Sequence, residues 1–169
     1  MHKEKTMFRD KAVDLLRNDI PDDPPEGYEM LSTGDGFNLW LGPVYGLVEK
    51  GRLRLGMRAG RRHLNPHGTM HGGIIASFAD LQIYVSQRDS KDLRYTLMPT
   101  IQLSIDFLSP VVLGDWLVGD TQLLHRTRSV LFQQTMASVG DRPVFRSSAI
   151  YRITRHDAPA GSTVGELFA

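Results

Sequence analysis

The stretch Ile74–Gln87 carries neither glycine nor proline, and its apolar residues at 74, 75, 78, 79, 81, 83 and 85 cover most of a helical circumference. A helix that is apolar nearly all round cannot lie on a surface, because its outer face would stay in water; it has to be wrapped. The second half of the chain can do the wrapping. Leu97–Leu108 alternates through Ile101, Leu103, Ile105 and Phe107, the two-residue period of a strand with one face inward. Ser109-Pro110 ends it, and Asp115–His125, Ser129–Val139 and Pro143–Thr154 follow as further extended segments. Their separators, Arg126-Thr127-Arg128 and Gly140-Asp141-Arg142-Pro143, read as turns. Ahead of the helix, Phe37–Arg58 reads as extended, with Leu47-Val48-Glu49 and Leu53-Arg54-Leu55 flanking Lys50-Gly51-Arg52 as a hairpin. The expected class is α+β, an antiparallel sheet wrapped around one long central helix.

A chain of 169 residues with 41% hydrophobic content fits one such domain. Phe8, Ala12, Val13, Leu15 and Leu16 stand at helical spacings, and Pro21-Asp22-Asp23-Pro24-Pro25-Glu26-Gly27 breaks whatever precedes it. Residues 1–27 are therefore expected to form an arm with a short helix, residues 28–157 the domain and residues 158–169 a tail. Lys plus Arg number 20 against 19 Asp plus Glu, so no basic excess points to a nucleic-acid partner. The absence of cysteine excludes disulfides, zinc-cysteine sites and a thiol nucleophile. Met1-His2-Lys3-Glu4-Lys5 lacks the apolar stretch of a signal peptide, and no run of apolar residues is long enough to span a bilayer. The expectation is a soluble cytoplasmic protein without a membrane partner.

Chemistry concentrates in Asn65-Pro66-His67-Gly68-Thr69-Met70-His71-Gly72-Gly73, which leads directly into the central helix. Its glycines could serve only to turn the chain, and its histidines only to satisfy backbone groups. His63, His67 and His71 recur every four residues, a spacing that could bind zinc on a helix, but Pro66, Gly68, Gly72 and Gly73 oppose helix there, so no metal is expected. A further reading is an electrophile site. The first N–H groups of a helix lack internal partners, and the macrodipole adds positive charge at that end. A thioester carbonyl set against the N–H of Gly72 or Gly73 would be polarised towards an oxyanion. Asp80, inside Phe78-Ala79-Asp80-Leu81, is the candidate base or nucleophile, since a carboxylate on an apolar helix is costly unless paired or functional. An exposed Asp on a helix edge is the bland alternative. Eight residues along one helix separate Gly72 from Asp80 by ~12 Å, too far for both to act on one carbonyl. Two helices packed across a two-fold axis would bring them together, so the chemistry asks for a homodimer with composite sites. No Gly-x-Ser-x-Gly elbow and no phosphate loop of Walker or Rossmann spacing occurs.

The arrangement Asn65-x(5)-His71-Gly72-Gly73-x(6)-Asp80 resembles the PaaI-like branch of the hotdog-fold thioesterases. Thr100–Pro110 with Gly114-Asp115, the segment His125-Arg126-Thr127-Arg128-Ser129-Val130 and the closing strand Val144–Ile153 are similar to that family's later elements, so the likeness runs over residues 37–154. The resemblance implies a hotdog fold and hydrolysis of an acyl-CoA thioester without a cofactor. It implies Gly72 as the oxyanion-hole donor, with Gly73 beside it, and Asp80 of the partner subunit as general base or direct nucleophile. Asn65 would orient the attacking water or the carbonyl, His71 would stand beside the thioester, and the Thr100 hydroxyl would help hold the water. Arg126, Arg128 and Ser129 match the region that binds coenzyme A; arginine suits its phosphates, though a solvated turn would look the same. Leu81, Ile83, Tyr84, Phe78 and Met98 could line an acyl pocket or simply be core, and Gln82 and Tyr84 hint at a polar-tipped one. The family also implies a homotetramer. A non-catalytic acyl-CoA binding protein on the same fold is the alternative, and a dehydratase or hydratase fits less well because His71 precedes Asp80.

Overall fold

The computed structural model describes residues 23–31, 36–93 and 96–154; the helix expected in residues 6–18 and the tail from residue 158 lie outside them. Seven strands form one sheet: β1 (Glu29–Met30), β2 (Tyr45–Glu49), β3 (Arg52–Arg58), β4 (Thr100–Phe107), β5 (Trp116–Arg126), β6 (Val130–Val139) and β7 (Arg142–Arg152). Their order is β1-β2-β3-β5-β6-β7-β4, with every neighbour antiparallel, so β4 forms one edge although three strands follow it in the chain. Among the described residues three α-helices accompany the sheet: α1 (Phe37–Leu41), α2 (Gly72–Leu81) and α3 (Ile83–Asp89). The α+β architecture is the anticipated one. The β2–β3 hairpin turns through Lys50 and Gly51, both with positive φ, which is the twist-matched two-residue loop.

Two local expectations change. Phe37–Leu41 is a single helical turn bounded by Gly36 and Gly42, and it anchors through buried Leu41 alone. The central helix starts at Gly72, two residues earlier than its glycine-free stretch, and it breaks at Gln82. The cause of the break is a side chain inserted into the ladder. Gln82 Nε2 donates to the Phe78 carbonyl at 3.3 Å, the acceptor four residues back, while the Gln82 main-chain N–H shifts to the Ala79 carbonyl at 3.3 Å.

The helix pair is buried as its composition requires. Ile74, Ile75, Phe78, Ala79 and Leu81 pack with Leu55, Met57, Leu117, Val144 and Phe145 in the larger apolar cluster. Phe78 meets Phe145 edge-on, ring centroids 6.4 Å apart. A smaller cluster holds Leu93, Met98, Leu131, Ala149 and Tyr151. A band of buried polar groups also runs through the interior: Thr121 donates to Gln82 Oε1 at 2.9 Å and shares a hydrogen bond with Thr135 at 2.8 Å, and Ser86 donates to Gln133 at 2.8 Å. Because each of these groups has a partner, the band avoids the penalty of buried unpaired polar atoms.

Two rows of cross-strand partners fix the geometry of the site. One runs Thr100–Tyr151–Leu131–Arg126, the other Phe107–Phe145–Ala137–Gly119. Helix α2 lies antiparallel along β4 between these rows: a Cβ added at Gly72 would sit 3.5 Å from Phe107, and the Asp80 carboxylate reaches Thr100.

The Gln82 insertion depends on the bare backbone of Gly119, since a Cβ there would come within 2.5 Å of Gln82 Oε1. Gln82 is fully buried and cannot swing away without losing Thr121. Gly119→Ala is therefore expected to lower unfolding free energy by about 1–3 kcal/mol, the usual range for overpacking, as read from urea denaturation.

Candidate active site

The approach to α2 is a loop closed on itself. Leu64 bridges Met70, the Asn65 N–H donates to the Thr69 carbonyl at 2.8 Å, and Gly68, at φ +79, turns the chain between them. The Asn65 side chain holds this loop from inside: Oδ1 accepts from the N–H groups of His67 (2.9 Å) and Thr69 (3.3 Å), and Nδ2 donates to Thr69 Oγ1 at 2.9 Å. Asn65 is thus an organiser of the loop in this structure, with one amide hydrogen left over. Met70 N–H donates to Val111 and His71 N–H to His63, which set the direction in which the chain enters the helix.

His71 caps α2. Its Nδ1 accepts the Gly73 N–H at 2.9 Å, so the neutral ring carries its proton on exposed Nε2. The two glycine donors are thereby separated in role: Gly73 is taken by the cap, whereas no group among the described residues accepts the Gly72 N–H. Gly72 borders a cleft of about 390 Å³ lined by Met70, Ile75, Phe107, Leu108, Ser109 and Pro110. A single bare N–H at a helix start, facing an apolar cleft, is a donor that a carbonyl oxygen would meet with little competition from other protein groups.

Asp80 stands at the other end of the helix, half-buried. Thr100 Oγ1 donates to its Oδ1 at 2.7 Å, and no described residue bonds Oδ2. The Tyr151 hydroxyl donates to the Asp80 main-chain carbonyl at 3.2 Å. Burial first, and then the Asp80 charge, pushes the phenols of Tyr84 and Tyr151 above their ordinary range, so both stay protonated beside the carboxylate. The sequence reading linked Thr100 to Asp80 only by resemblance; the structure brings the two into contact. It does not bring Asp80 to Gly72 within one chain, where the helix holds them ~12 Å apart.

Of the proposed phosphate-binding residues, Arg126 is engaged. Both its terminal nitrogens contact Asp92, at 2.9 and 2.5 Å, a bidentate pair that holds the Asp92 carboxyl below its usual range. Arg128 and Ser129 are exposed in the β5–β6 turn, and Arg128 makes no ion pair among the described residues. This turn adjoins the Thr100–Tyr151–Leu131–Arg126 row, so it lies at the Asp80 end of the sheet, three strand spacings (~14 Å) from β4.

Sequence reasoning missed Tyr151, Gln133 and Ser86, which adjoin Asp80 through hydrogen bonds, and the Phe107–Pro110 wall of the Gly72 cleft. An available signal was the run of polar residues at alternate, inward positions of β6, Gln133 and Thr135, where an ordinary core strand would be apolar. His63 was read only as one of three periodic histidines. Its buried ring instead joins two elements: Nδ1 accepts from Gly60 N–H at 2.9 Å, and Nε2 contacts the Leu41 carbonyl at 2.7 Å.

Residues 67–142 match the family model described as Thioesterase superfamily. Putative esterase PA0474 of Pseudomonas aeruginosa is 26% identical over 130 residues, covering 76% of this chain and 96% of that protein. The Escherichia coli PaaI protein from the phenylacetic acid degradation operon superposes with a TM-score of 0.63 at 20% identity, over 74% of this chain and 88% of that one. The protein smu.793 of Streptococcus mutans, whose structure holds acetyl CoA, superposes with a TM-score of 0.56 at 21% identity, over 81% and 97%. Among the described residues no helix is long and apolar enough to cross a membrane.

Burial lowers the His63 pKa from 6.5, with the neighbouring Arg62 charge adding to the effect and the Leu41 carbonyl opposing it. The unfolded chain therefore binds more protons than the folded one below about pH 6.5, and stability is lost as pH falls through the folded value. Urea unfolding between about pH 7.5 and 5.5 is expected to show this decline, and His63→Gln to flatten it while lowering stability at the upper end.

Proposed function

We propose that this protein, whose residues 67–142 match the Thioesterase superfamily model and whose fold is that of the hotdog proteins, is an acyl-CoA thioesterase, PaaI-like in its site, that works as a homodimer. The observation that carries the reading is the antiparallel placement of α2 on edge strand β4, with the bare Gly72 N–H at one end and the Asp80–Thr100 pair at the other. Among the described residues, strand β4 is paired on one side only, with β7. If β4 pairs with β4 of a second copy about its own midpoint, the Thr100 end of each meets the Phe107 end of the other. Asp80 of one protomer then faces the Gly72 cleft of its partner, and two identical composite sites form. Ile101 and Phe107, both 57% exposed on β4, are apolar groups that such a pairing would cover.

In this site the thioester carbonyl oxygen rests on the Gly72 N–H, which strengthens its hold as the oxygen becomes anionic. Asp80 acts from the other protomer through the oxygen that Thr100 leaves open. It either takes a proton from water as the water attacks, or attacks the carbonyl itself, with water then hydrolysing the anhydride formed. Collapse of the tetrahedral intermediate breaks the carbon–sulfur bond; the products are a free acid and coenzyme A. Arg128 is the cation best placed to meet a phosphate of the leaving group, because Arg126 already holds Asp92. The fold shared with the acetyl CoA-holding protein of Streptococcus mutans supports the choice of ligand.

Gly72 is the first helical residue, where proline is tolerated, and His71 has the extended backbone (φ −63, ψ 137) that a following proline requires. Gly72→Pro thus deletes one N–H with little else, and is expected to lower kcat by about 10²–10³ in thiol release from a panel of acetyl-, octanoyl- and benzoyl-CoA. Asp80→Asn should do at least as much. Neither variant is active alone, yet refolded mixtures should recover about a quarter of wild-type activity, because half the dimers then hold one intact site. Turnover of none of these substrates, or full activity in Asp80→Asn, overturns the assignment; tight acyl-CoA binding without turnover would make the protein a binder.

A further inference from the structure

Asp80 is gripped at both ends by two residues that face each other across β4 and β7. Thr100 and Tyr151 are cross-strand partners. The first donates to the carboxylate at 2.7 Å, and the second to the main-chain carbonyl at 3.2 Å. Tyr151 is fully buried, and a row of polar groups stands behind it. Gln133 Nε2 donates to the Tyr151 hydroxyl oxygen at 3.3 Å, and Ser86 Oγ donates to Gln133 Oε1 at 2.8 Å.

The direction of each bond follows from the last. Ser86 has one hydroxyl hydrogen and gives it to Gln133 Oε1, which turns the amide NH₂ towards Tyr151. Accepting there, the phenol aims its own hydrogen at the Asp80 carbonyl. All donors run one way, so the bonds polarise one another. The row joins α3, β6 and β7 to the last turn of α2, two residues before the helix breaks at Gln82. At that point the ladder turns irregular, with the Gln82 N–H directed back at the Ala79 and Asp80 carbonyls, so the Tyr151 hydroxyl adds a fixed hold on the Asp80 carbonyl from outside the helix. An apolar core would fill the same volume without the desolvation cost of a buried phenol, amide and hydroxyl. A purely packing role leaves that cost unexplained.

Resting on the thioesterase reading above, we infer that Tyr151, backed by Gln133 and Ser86, is a positioning residue that fixes the Asp80 main chain and so the direction in which the carboxylate offers its open oxygen. Tyr151 does not touch substrate in this scheme. The titratable groups beside Asp80 are the phenols of Tyr84 and Tyr151, both held in the protonated form, so neither changes charge where the carboxylate works.

The test compares full-length wild type, Tyr151→Phe, Ser86→Ala and Asp80→Asn by thiol release from the same acyl-CoA panel, across pH, at a temperature where each is folded by circular dichroism. Tyr151→Phe keeps the ring and removes one oxygen. It is expected to lower kcat about 10–100-fold with KM little changed, since a displacement of ~1 Å at a reacting group can cost 10²-fold. Ser86→Ala, at the far end of the row, should lower kcat by a smaller factor, again with KM little changed, and it carries the test if Tyr151→Phe does not fold. Wild-type kcat in the folded variants, or a loss that falls on KM with kcat unchanged, with Asp80→Asn inactive, overturns the positioning role alone. Full activity in Asp80→Asn overturns the thioesterase reading, and the positioning role falls with it.

Discussion

An α-helix advances about 1.5 Å per residue and a strand about 3.3 Å, so the ten residues of α2 span ~15 Å beside the eight of β4. This lengthwise contact governs the layout of the molecule. It sets the glycine start of the helix beside Phe107 and the carboxylate beside Thr100, and it holds donor and base apart within a chain. It also places both along β4, an edge strand of the sheet among the described residues. Under the proposed mechanism, a site that uses both ends of this helix would draw its halves from two protomers, since folding alone cannot shorten the rod between them.

The wrapping of a nearly all-apolar helix by alternating strands was legible from the residues, because apolar periodicity reports burial directly. The strand limits over β4 to β7 and the hairpin at Lys50-Gly51 followed from the same pattern and from turn chemistry. Two features were not legible. Phe37–Leu41, read as part of an extended segment, has too few residues to show a helical period, and its apolar Phe37, Leu39 and Trp40 are exposed. The break at Gln82 arises from a side-chain amide reaching back four residues into a space that Gly119 leaves open, a contact between positions 37 apart in the chain.

For the site, motif spacing singled out Gly72, Asp80 and His71, but spacing says nothing about which N–H is already used. The structure distinguishes Gly72 from Gly73 through the His71 cap and Arg128 from Arg126 through Asp92. Asn65 shows the same limit, for its amide is largely committed to the loop that delivers the helix start. Tyr151 could not be linked to Asp80 in advance, because the link needs the register of β4 on β7.

That register has a consequence for how the chain comes into being. Strand β4 is synthesised before β5, β6 and β7, yet its partner in the sheet is the last of these. During vectorial synthesis β4 must wait with both edges open, and Leu103 and Ile105 lack the strands beside which they pack, a period in which unpaired apolar strand invites aggregation. Only when residues Arg142–Arg152 emerge can the sheet close over α2, so a ribosome stalled in β6 would present a nascent chain with an unprotected adhesive strand.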